Sequence, residues 1–254
     1  MGCLEHDYLT TTRIPLALSP SCSGGGAFRQ WDLGPLLQGV LMECIEPCWV
    51  DRMHGAPFNP YSQYCIAENS SIIWVVNTLT SEAYDAITKP LLYSTNLRIK
   101  KLDLSVSCGA PQQSRLSRRD LADVVYNSDA RTFTLKFVSP AAFKSGGVYQ
   151  TIPSMRLVYQ NLLMHYGQVF NADHESDPET VDYLSSHTRV VRYRLHSQTF
   201  LLSGKKIPSF MGFMTVSVGG PKILRGLAHM LFRFGGFAGV GIKTSMGMGG
   251  FLVE

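Results

Sequence analysis

Apolar and polar residues in the first 110 positions follow strand and helix periods in one recognisable order. Apolar side chains alternate where a strand is expected and recur every three or four residues where a helix is expected. The predicted strands and helices lie over residues 4–18, 36–44, 58–67, 71–79, 81–91 and 97–106. We expect Pro47 to close the first helix, Ser81 to cap the second, and Pro90 to kink or end it. The order strand-helix-strand-strand-helix-strand is that of a ferredoxin-like domain.

The same order begins again after a polar connector, residues 109–129, which carries a short predicted helix over residues 116–126. Strand and helix periods then recur over residues 132–138, 154–166, 188–202 and 208–218, in a helix that begins at Pro221, and in a short last strand. Ser154 is a suitable N-cap, and proline is tolerated at a first helical position. The sequence therefore predicts an α+β fold of two tandem ferredoxin-like domains, residues 1–110 and 130–254, the second with a glycine-rich loop.

The glycine-rich loop is the stretch from Gly235 to Phe251, in which seven of seventeen residues are glycine. Glycine costs backbone entropy, so a dense run indicates positive φ angles or the close approach of another chain. With Lys243 and Ser245 inside it, the loop is a candidate anion cradle, and a structural turn is the alternative. No glycine in the loop is followed directly by lysine, and Thr244 stands where the dinucleotide fingerprint needs glycine, so neither phosphate-loop motif fits.

Charge is distributed unevenly along the chain. Residues 1–110 carry 7 basic and 10 acidic side chains, whereas residues 111–254 carry 16 and 9. From Tyr183 to Val253 there are nine Lys and Arg residues and no carboxylate. A cationic span without compensating anions is typical of a polyanion-binding surface, and we favour nucleic acid over an ordinary solvated face.

Two predicted elements arrange these cations usefully. Alternation along the strand around residues 190–196 places Arg192, Arg194 and His196 on one face. Lys222, Arg225 and Arg233 fall on one stripe of the helix that begins at Pro221. The predicted RNA-binding residues are Arg192, Arg194, Lys205, Lys206, Lys222, Arg225, Arg233, Gly241, Lys243, Ser245 and Gly247.

Other features of the composition limit the function classes. No apolar run approaches the length of a membrane span, and the N-terminus lacks the pattern of a signal peptide, so we expect a cytoplasmic protein with reduced cysteines. Cys44, Cys48, His54 and Cys65 are a weak zinc candidate, because their spacing lacks a second tight pair. We expect no cofactor.

The C-terminal residues 239–249, GVGIKTSMGMG, resemble the glycine-rich loop of the CRISPR-associated repeat-RNA endoribonucleases, the sixth Cas family within the RAMP superfamily. Residues 137–144, FVSPAAFK, with Pro153 and the following helix, resemble the segment that opens the second domain of that family. The resemblance implies tandem ferredoxin-like domains over nearly the whole chain. The partners we expect are CRISPR repeat RNA and other Cas proteins of an effector complex, and we leave a homodimer open.

The resemblance also implies a reaction. Members of this family cleave precursor CRISPR RNA without a metal: the ribose 2′-hydroxyl attacks the adjacent phosphate and leaves a 2′,3′-cyclic phosphate and a 5′-hydroxyl. Such chemistry needs a base, an acid and cations near the phosphorane. In many members a histidine between the first helix and the second strand transfers protons, and His54 occupies that place here. Arg52 is the nearest cation and Tyr61 the nearest aromatic hydroxyl, so these three are the predicted catalytic residues.

Three alternatives stay open. A RAMP subunit can bind CRISPR RNA as a scaffold without cutting it. A generic RNA-binding protein with RRM-like domains is a second alternative, although the aromatic signature of that module is absent. A metal-dependent nuclease would have to use the acidic residues Asp173, Glu175, Asp177, Glu179 and Asp182, which more plausibly form a solvated loop. His187, His196 and His229 are further histidines that could face RNA.

Overall fold

An antiparallel sheet backed by helices forms the first half of the molecule. The computed structural model describes residues 8–17, 29–55, 58–69, 71–170 and 177–254. The strands of this sheet are β1 (Tyr8–Ala17), β2 (Tyr61–Glu68), β3 (Ser71–Thr78), β4 (Asn96–Ile99), β5 (Leu104–Cys108) and β6 (Gln112–Ser117). Their order is β2-β3-β1-β5-β4, and β6 also pairs with β1. Because β5 pairs with the end of β1 and β6 with its beginning, the two together fill the position of the fourth ferredoxin-like strand.

A second antiparallel sheet forms the other half. It contains β7 (Thr132–Ala141), β10 (Thr188–Leu202), β11 (Lys205–Val218) and β12 (Phe251–Val253), and a separate hairpin contains β8 (Phe143–Ser145) and β9 (Val148–Gln150). The order β10-β11-β7-β12 again places the first strand of the unit between the third and the fourth. The predicted α+β fold with two ferredoxin-like units is therefore confirmed.

The helices are α1 (Gly34–Cys44), α2 (Pro47–Gly55), α3 (Ser81–Ala83), α4 (Arg118–Asn127), α5 (Met155–Phe170), α6 (Pro178–Ser186) and α7 (Lys222–Ala238). The prediction for Pro47 was wrong in one respect, because this residue begins α2 instead of only closing α1. Ile45, which follows α1, is already extended at φ −100° and ψ 147°. Proline is well suited to a first helical turn, where its missing N–H has no intrahelical acceptor.

Two further predictions needed correction. Thr80, rather than Ser81, caps α3, because its side chain accepts a hydrogen bond from the Ala83 N–H at 3.1 Å. The helix then changes to a π turn (Tyr84–Thr88) and a 3₁₀ turn (Lys89–Tyr93), which contains Pro90.

In the predicted polar connector, residues 112–117 form β6 of the first sheet. The domain boundaries at residues 110 and 130 stay a prediction.

Each sheet packs its apolar face against helices. In the first unit, Ile14, Trp74 and Val76 from the strands pack against Leu37 and Leu41 of α1. In the second unit, the strand residues Phe133, Leu135, Phe137, Met214 and Val216 join α5 and α7 in a larger core. Burial of these side chains is the main stabilising contribution in each unit.

Helix α7 of the second unit also packs on the first sheet, and buried polar groups fix this junction. Ser62 Oγ donates to the Phe237 carbonyl at 2.6 Å, and Asn77 Nδ2 donates to Ser62 Oγ at 3.0 Å. Thr11 Oγ1 donates to Asn77 Oδ1 at 2.8 Å. Carbonyls in the last turn of a helix lack intrahelical partners, so this chain of hydrogen bonds caps α7 with side chains of the other unit. Strands β2 and β3 are consequently covered on both faces.

Among the described residues, no helix is long and apolar enough to cross a membrane.

Candidate nucleic-acid interface

The glycine-rich loop lies between the two units, and its glycines are needed for packing. Positive φ angles occur at Gly239, Gly241, Lys243, Gly247 and Gly249. A Cβ at Gly241 would lie 2.2 Å from the Ala142 carbonyl oxygen, and a Cβ at Gly247 would lie 2.7 Å from the Cα of Gly34. The closest groups to both glycines are therefore protein backbone. This geometry favours the structural turn that the sequence left as an alternative.

Most of the loop's backbone donors are also engaged. Eight N–H groups donate to acceptors within the protein, those of Gly239, Val240, Gly241, Ile242, Met246, Met248, Gly249 and Gly250. The Gly241 N–H donates to Asn161 Oδ1 of α5 at 2.7 Å. An anion cradle formed by the whole loop is therefore wrong, because these donors cannot also bind a phosphate. RNA contacts at Gly241 and Gly247 stay a prediction, and Lys243 is the exposed cation of the loop.

Ser245 joins the loop to the first unit. Its hydroxyl accepts from Asn59 Nδ2 at 3.1 Å, and its carbonyl accepts from Gln63 Nε2 at 3.0 Å. The same Gln63 nitrogen donates to the Gly34 carbonyl at 2.8 Å. Ser245 is only 8% exposed. The sequence predicted it as an RNA contact, but its observed partners belong to the domain junction.

Tyr61 is buried within the first unit and cannot reach solvent. Its hydroxyl donates to Gln38 Oε1 at 2.9 Å, and its side chain is 0% exposed. Burial raises the pKa of the phenol to about 12, and the hydrogen bonds to Gln38 and Ser245 oppose that shift. The structure thus places Tyr61 in the core of the first unit, and its catalytic role stays a prediction.

Arg52 and His54 are both on α2. Arg52 donates to Glu82 Oε1 at 2.8 Å and lies over the Trp49 ring at 4.9 Å. The side chain of His54 lies outside what the structure describes. Its backbone is in the last turn of α2, five residues before Asn59, so the catalytic assignment of His54 stays a prediction.

The basic strand β10 has the arrangement that alternation predicts. It forms one edge of the second sheet, and Arg192, Arg194 and His196 are exposed. The Arg192 guanidinium lies 5.5 Å from the centre of the Phe213 ring, and Phe213 pairs with Arg194 across the strands. These residues share the sheet face opposite α5 and α7. In the described part of the chain, neither Arg192 nor Arg194 forms a salt bridge.

The β10–β11 hairpin extends this face to the domain junction. Its far half contributes Phe200, Ile207 and Met211 to a buried cluster with Trp31 of the first unit and Met248 of the glycine-rich loop. Lys205 and Lys206 lie at the tip of the hairpin, where both are exposed. The hairpin therefore joins the basic face of β10 to the glycine-rich loop through this apolar cluster, and it carries two further exposed cations at its tip.

The cations predicted on one stripe of α7 are less free to bind RNA than the sequence indicates, because several of them bind protein groups. Lys222 pairs with Asp129 at 3.0 Å, and Arg225 Nη1 donates to the Gly220 carbonyl at 2.7 Å. A Cβ at Gly226 would lie 1.9 Å from the Val125 carbonyl oxygen, which shows how closely α4 packs on α7. Arg233 is half-buried. RNA contacts by Lys222, Arg225 and Arg233 stay a prediction that this packing does not favour.

The remaining histidines occupy different environments. His229 Nδ1 lies 2.7 Å from Ser128 Oγ, and burial together with the Arg233 charge lowers its pKa. His187 Nδ1 donates to the Tyr183 carbonyl at 2.8 Å. His165 is buried beneath Phe58, with ring centres 4.2 Å apart, and burial lowers its pKa to about 4. His6 and His174 lie outside the described residues.

The candidate metal ligands are not assembled into a site within the described residues. No group of three or more His, Cys, Asp or Glu side chains there could hold a metal ion. Cys65 is fully buried, whereas Cys44 and Cys48 are exposed, so the zinc candidate is not supported. Asp173 and Glu175 lie outside the described residues, and Asp177 and Glu179 are at the start of α6.

Comparison with known proteins gives one consistent answer. A family model described as CRISPR-associated endoribonuclease Cas6 matches residues 135–251. A curated Cas6 endoribonuclease of Streptococcus thermophilus is 35% identical over 228 residues, which cover 88% of this chain and 92% of that protein. Its counterpart in Mycobacterium tuberculosis is 36% identical over 228 residues, which cover 87% of this chain and 72% of that protein.

Comparison of the fold with solved structures also finds Cas6 proteins. A solved structure described as a Cas6 product complex superposes with a TM-score of 0.76 at 19% identity, covering 97% of this chain and 99% of that one. At this identity the superposition shows a shared fold, and the curated relatives establish the family. The chain belongs to the Cas6 family of CRISPR-associated endoribonucleases.

Proposed function

We propose that this protein binds CRISPR repeat RNA across its domain junction and cleaves precursor CRISPR RNA there. One observation carries the proposal: the strand that carries the uncompensated cations of β10 packs, at its far end, through the Trp31 cluster on the glycine-rich loop. Asn59 binds the other side of that loop through Ser245, and His54 is five residues earlier in the chain. An RNA strand held on the basic face is thereby directed towards the segment that carries the candidate acid or base.

The proposed reaction is transesterification without a metal. The 2′-oxygen attacks the adjacent phosphorus and loses its proton to a base, while the bond from phosphorus to the 5′-oxygen breaks and that oxygen gains a proton. The products are a 2′,3′-cyclic phosphate and a 5′-hydroxyl. A histidine near its ordinary pKa can transfer either proton at neutral pH, and we assign this role to His54.

The contacts of Arg52 and Tyr61 differ from those expected of groups that support catalysis. Arg52 forms an exposed ion pair with Glu82, and the Tyr61 hydroxyl is buried against Gln38, so a role for either at the scissile phosphate stays a prediction. Cations of the RNA-binding face are better candidates to stabilise the phosphorane, because their charges are not neutralised by described residues. This difference also keeps the non-cutting scaffold as the second candidate function.

A cleavage assay in EDTA tests the proposal and separates the two functions. Wild-type protein should cut repeat RNA at one position and leave a cyclic phosphate, and a 2′-deoxy substitution just before the cut should stop it. His54→Ala should slow cleavage by roughly 10²–10⁴-fold while repeat-RNA affinity hardly changes. His187→Ala is the matched control, because that half-buried histidine caps the end of α6, where its Nδ1 donates to the Tyr183 carbonyl.

Each outcome has a clear meaning. If the wild-type protein binds repeat RNA and cuts none, the scaffold function replaces the nuclease. If His54→Ala cuts as fast as wild type, proton transfer belongs to another group, and His196 on the basic face is tested next.

We also propose that the protein acts in the cytoplasm, that residues 1–110 and 130–254 are its domains, and that other Cas proteins of an effector complex are partners.

A further inference from the structure

Arg29 occupies a position at the domain junction that charge patterning along the sequence does not single out. It belongs to the first half of the chain, whose net charge is negative, and lies just before the 3₁₀ turn Gln30–Leu33. Its guanidinium Nη1 donates to Gln198 Oε1 of β10 at 2.9 Å, although the two residues are 169 positions apart. The side chain therefore bridges the two units.

The charge of Arg29 is held in place without being neutralised. Its observed partners are a neutral amide and the Trp31 ring, whose centre lies 5.6 Å from the guanidinium carbon. The nearby Asp32 carboxylate accepts from the Arg29 backbone N–H at 3.1 Å, and no described carboxylate forms a salt bridge with the guanidinium. An arginine has five N–H donors, so one hydrogen bond to Gln198 leaves donors free for a planar anion.

The position of Arg29 continues the basic face of β10. Gln198 follows Arg192, Arg194 and His196 at two-residue spacing, so all four side chains project from the same face of the strand. Trp31, beneath the guanidinium, belongs to the buried cluster that includes Met248 of the glycine-rich loop. Arg29 is thus placed between the cations of β10 and that loop.

We propose that Arg29 binds an RNA phosphate at the junction, on the path from the basic face of β10 to the cleavage site. The inference rests on the proposed function, because it takes the bound polyanion to be repeat RNA. Arg29 acts as a positioning residue from the first unit, and Gln198 and Trp31 preorganise its guanidinium. Preorganisation matters because a free arginine would lose side-chain entropy on binding the phosphate.

The first test compares two arginines of the first unit. Arg29→Gln removes one charge at the junction, whereas Arg98→Gln removes one exposed charge that is paired with Asp103 at 3.0 Å. Binding of 2′-deoxy-blocked repeat RNA is measured at several salt concentrations. Arg29→Gln should weaken binding roughly five- to tenfold and reduce the salt slope by about 0.7–0.9, the value for one phosphate contact. Arg98→Gln should match wild type, and both variants should unfold near the wild-type midpoint.

Two further variants separate charge from geometry. Arg29→Lys keeps the charge but loses the forked donors and the flat contact with Trp31, so the salt slope should persist while affinity falls. Gln198→Glu supplies a carboxylate to Arg29 and should weaken binding at least as much as Arg29→Gln. A single methylphosphonate placed along the RNA then locates the contact: neutralising the correct phosphate should weaken binding by wild type and not by Arg29→Gln.

The inference and the proposed function fail in different ways. If wild type does not bind repeat RNA, both are overturned. If wild type binds and cuts repeat RNA but Arg29→Gln has the affinity and salt slope of Arg98→Gln, only the role of Arg29 is overturned. If every methylphosphonate affects wild type and Arg29→Gln equally, the phosphate contact is overturned even when affinity falls.

Discussion

The glycine-rich loop and strand β10 supply most of the RNA contacts that the sequence predicts, yet their environments are opposite. The glycines of the loop are buried against Gly34 and Ala142, and its backbone donors mostly bind protein acceptors. On β10, Arg192 and Arg194 are exposed and have no salt bridge to a described residue. A glycine run shows only that something approaches the backbone closely, and here the approaching group is the protein itself. The loop is accordingly packed between the units, and β10 is the surface open to ligand.

The largest expected effect comes from a Cβ within the loop. Gly241 has φ +83°, and its Cβ would lie 2.2 Å from the Ala142 carbonyl oxygen, so Gly241→Ala should lower the free energy of unfolding by about 3 kcal/mol or more. Gly204→Ala is the control: φ there is +78°, but nothing lies within 4 Å of the added Cβ. That variant should cost only about 1–2 kcal/mol, the strain of a left-handed residue.

Urea unfolding of both variants measures the difference. Equal losses for Gly241→Ala and Gly204→Ala would show that the loop is not packed against the second sheet, and the contrast between the loop and β10 would disappear. A stable Gly241→Ala variant that fails only in RNA binding would restore the loop as a direct ligand site.

A second effect concerns His165, through which α5 supports the loop. His165 stacks on Phe58, and its Nε2 lies 3.3 Å from Asn161, whose Oδ1 accepts from the Gly241 N–H. Burial lowers the folded pKa of His165 to about 4, below the unfolded value of about 6.5. Between these values the unfolded chain binds more protons, so stability should decline as pH falls, by roughly 2 kcal/mol at pH 5.

Unfolding curves of wild type and His165→Phe between pH 7 and pH 5 isolate this contribution. Phenylalanine keeps the ring against Phe58 and cannot be protonated, so the variant should lose stability less steeply with acid. Parallel pH profiles for the two proteins would show that His165 is not responsible.

The sequence predicts the features of the fold that depend on residues close together in the chain, and it misses those that depend on distant ones. Alternation and helical spacing are local, so the two ferredoxin-like units and the outward face of Arg192 and Arg194 follow from short stretches of chain. The burial of the second face of β2 depends on residues that are distant in the chain. Ser62 binds α7 on that face, while Gln63 and Tyr61 bind groups on the opposite side. Nothing in one strand indicates that another domain will bury its second face. Tyr61, predicted as an accessible hydroxyl, lies on the other face of β2, in the core of the first unit against Gln38 of α1.

The same limit explains the residues that sequence reasoning missed. Arg29 is unremarkable in a net-acidic half, and its bridge to Gln198 depends on how the units dock. Asn161 resembles any polar helix residue until its bond to Gly241 is known. By contrast, one available signal was misinterpreted at α2: Pro47 suits the first turn of a helix, and the apolar spacing of Trp49, Val50 and Met53 could have extended the helical prediction to His54.

Removing the two β10 arginines should reduce RNA affinity without altering the fold. Arg192→Gln with Arg194→Gln should weaken repeat-RNA binding by roughly tenfold and lower the salt slope by about 1.4–1.8, because two phosphate contacts are lost. Arg98→Gln with Lys100→Gln removes two exposed charges from the first unit, where they pair with Asp103 and Glu43, and should leave binding unchanged. Fluorescence anisotropy across a salt series measures both, and equal slopes in the two double variants would contradict a ligand role for β10.

The smallest expected effect sharpens the comparison at Lys243, the exposed cation within the buried loop. Lys243 has φ +58°, a conformation that costs a lysine about 1 kcal/mol and that glycine adopts freely. Lys243→Gly should therefore leave stability unchanged or raise it by up to about 1 kcal/mol, while repeat-RNA affinity falls severalfold because one cation is lost. Lys243→Asn is the control, since asparagine tolerates a positive φ and also lacks the charge; it should bind RNA as weakly as the glycine variant. Urea unfolding and RNA-binding measurements on the same variants test whether stability is kept or raised while affinity falls. If both variants bind as tightly as wild type, the whole loop is structural, and the strain at Lys243 serves packing instead of RNA binding.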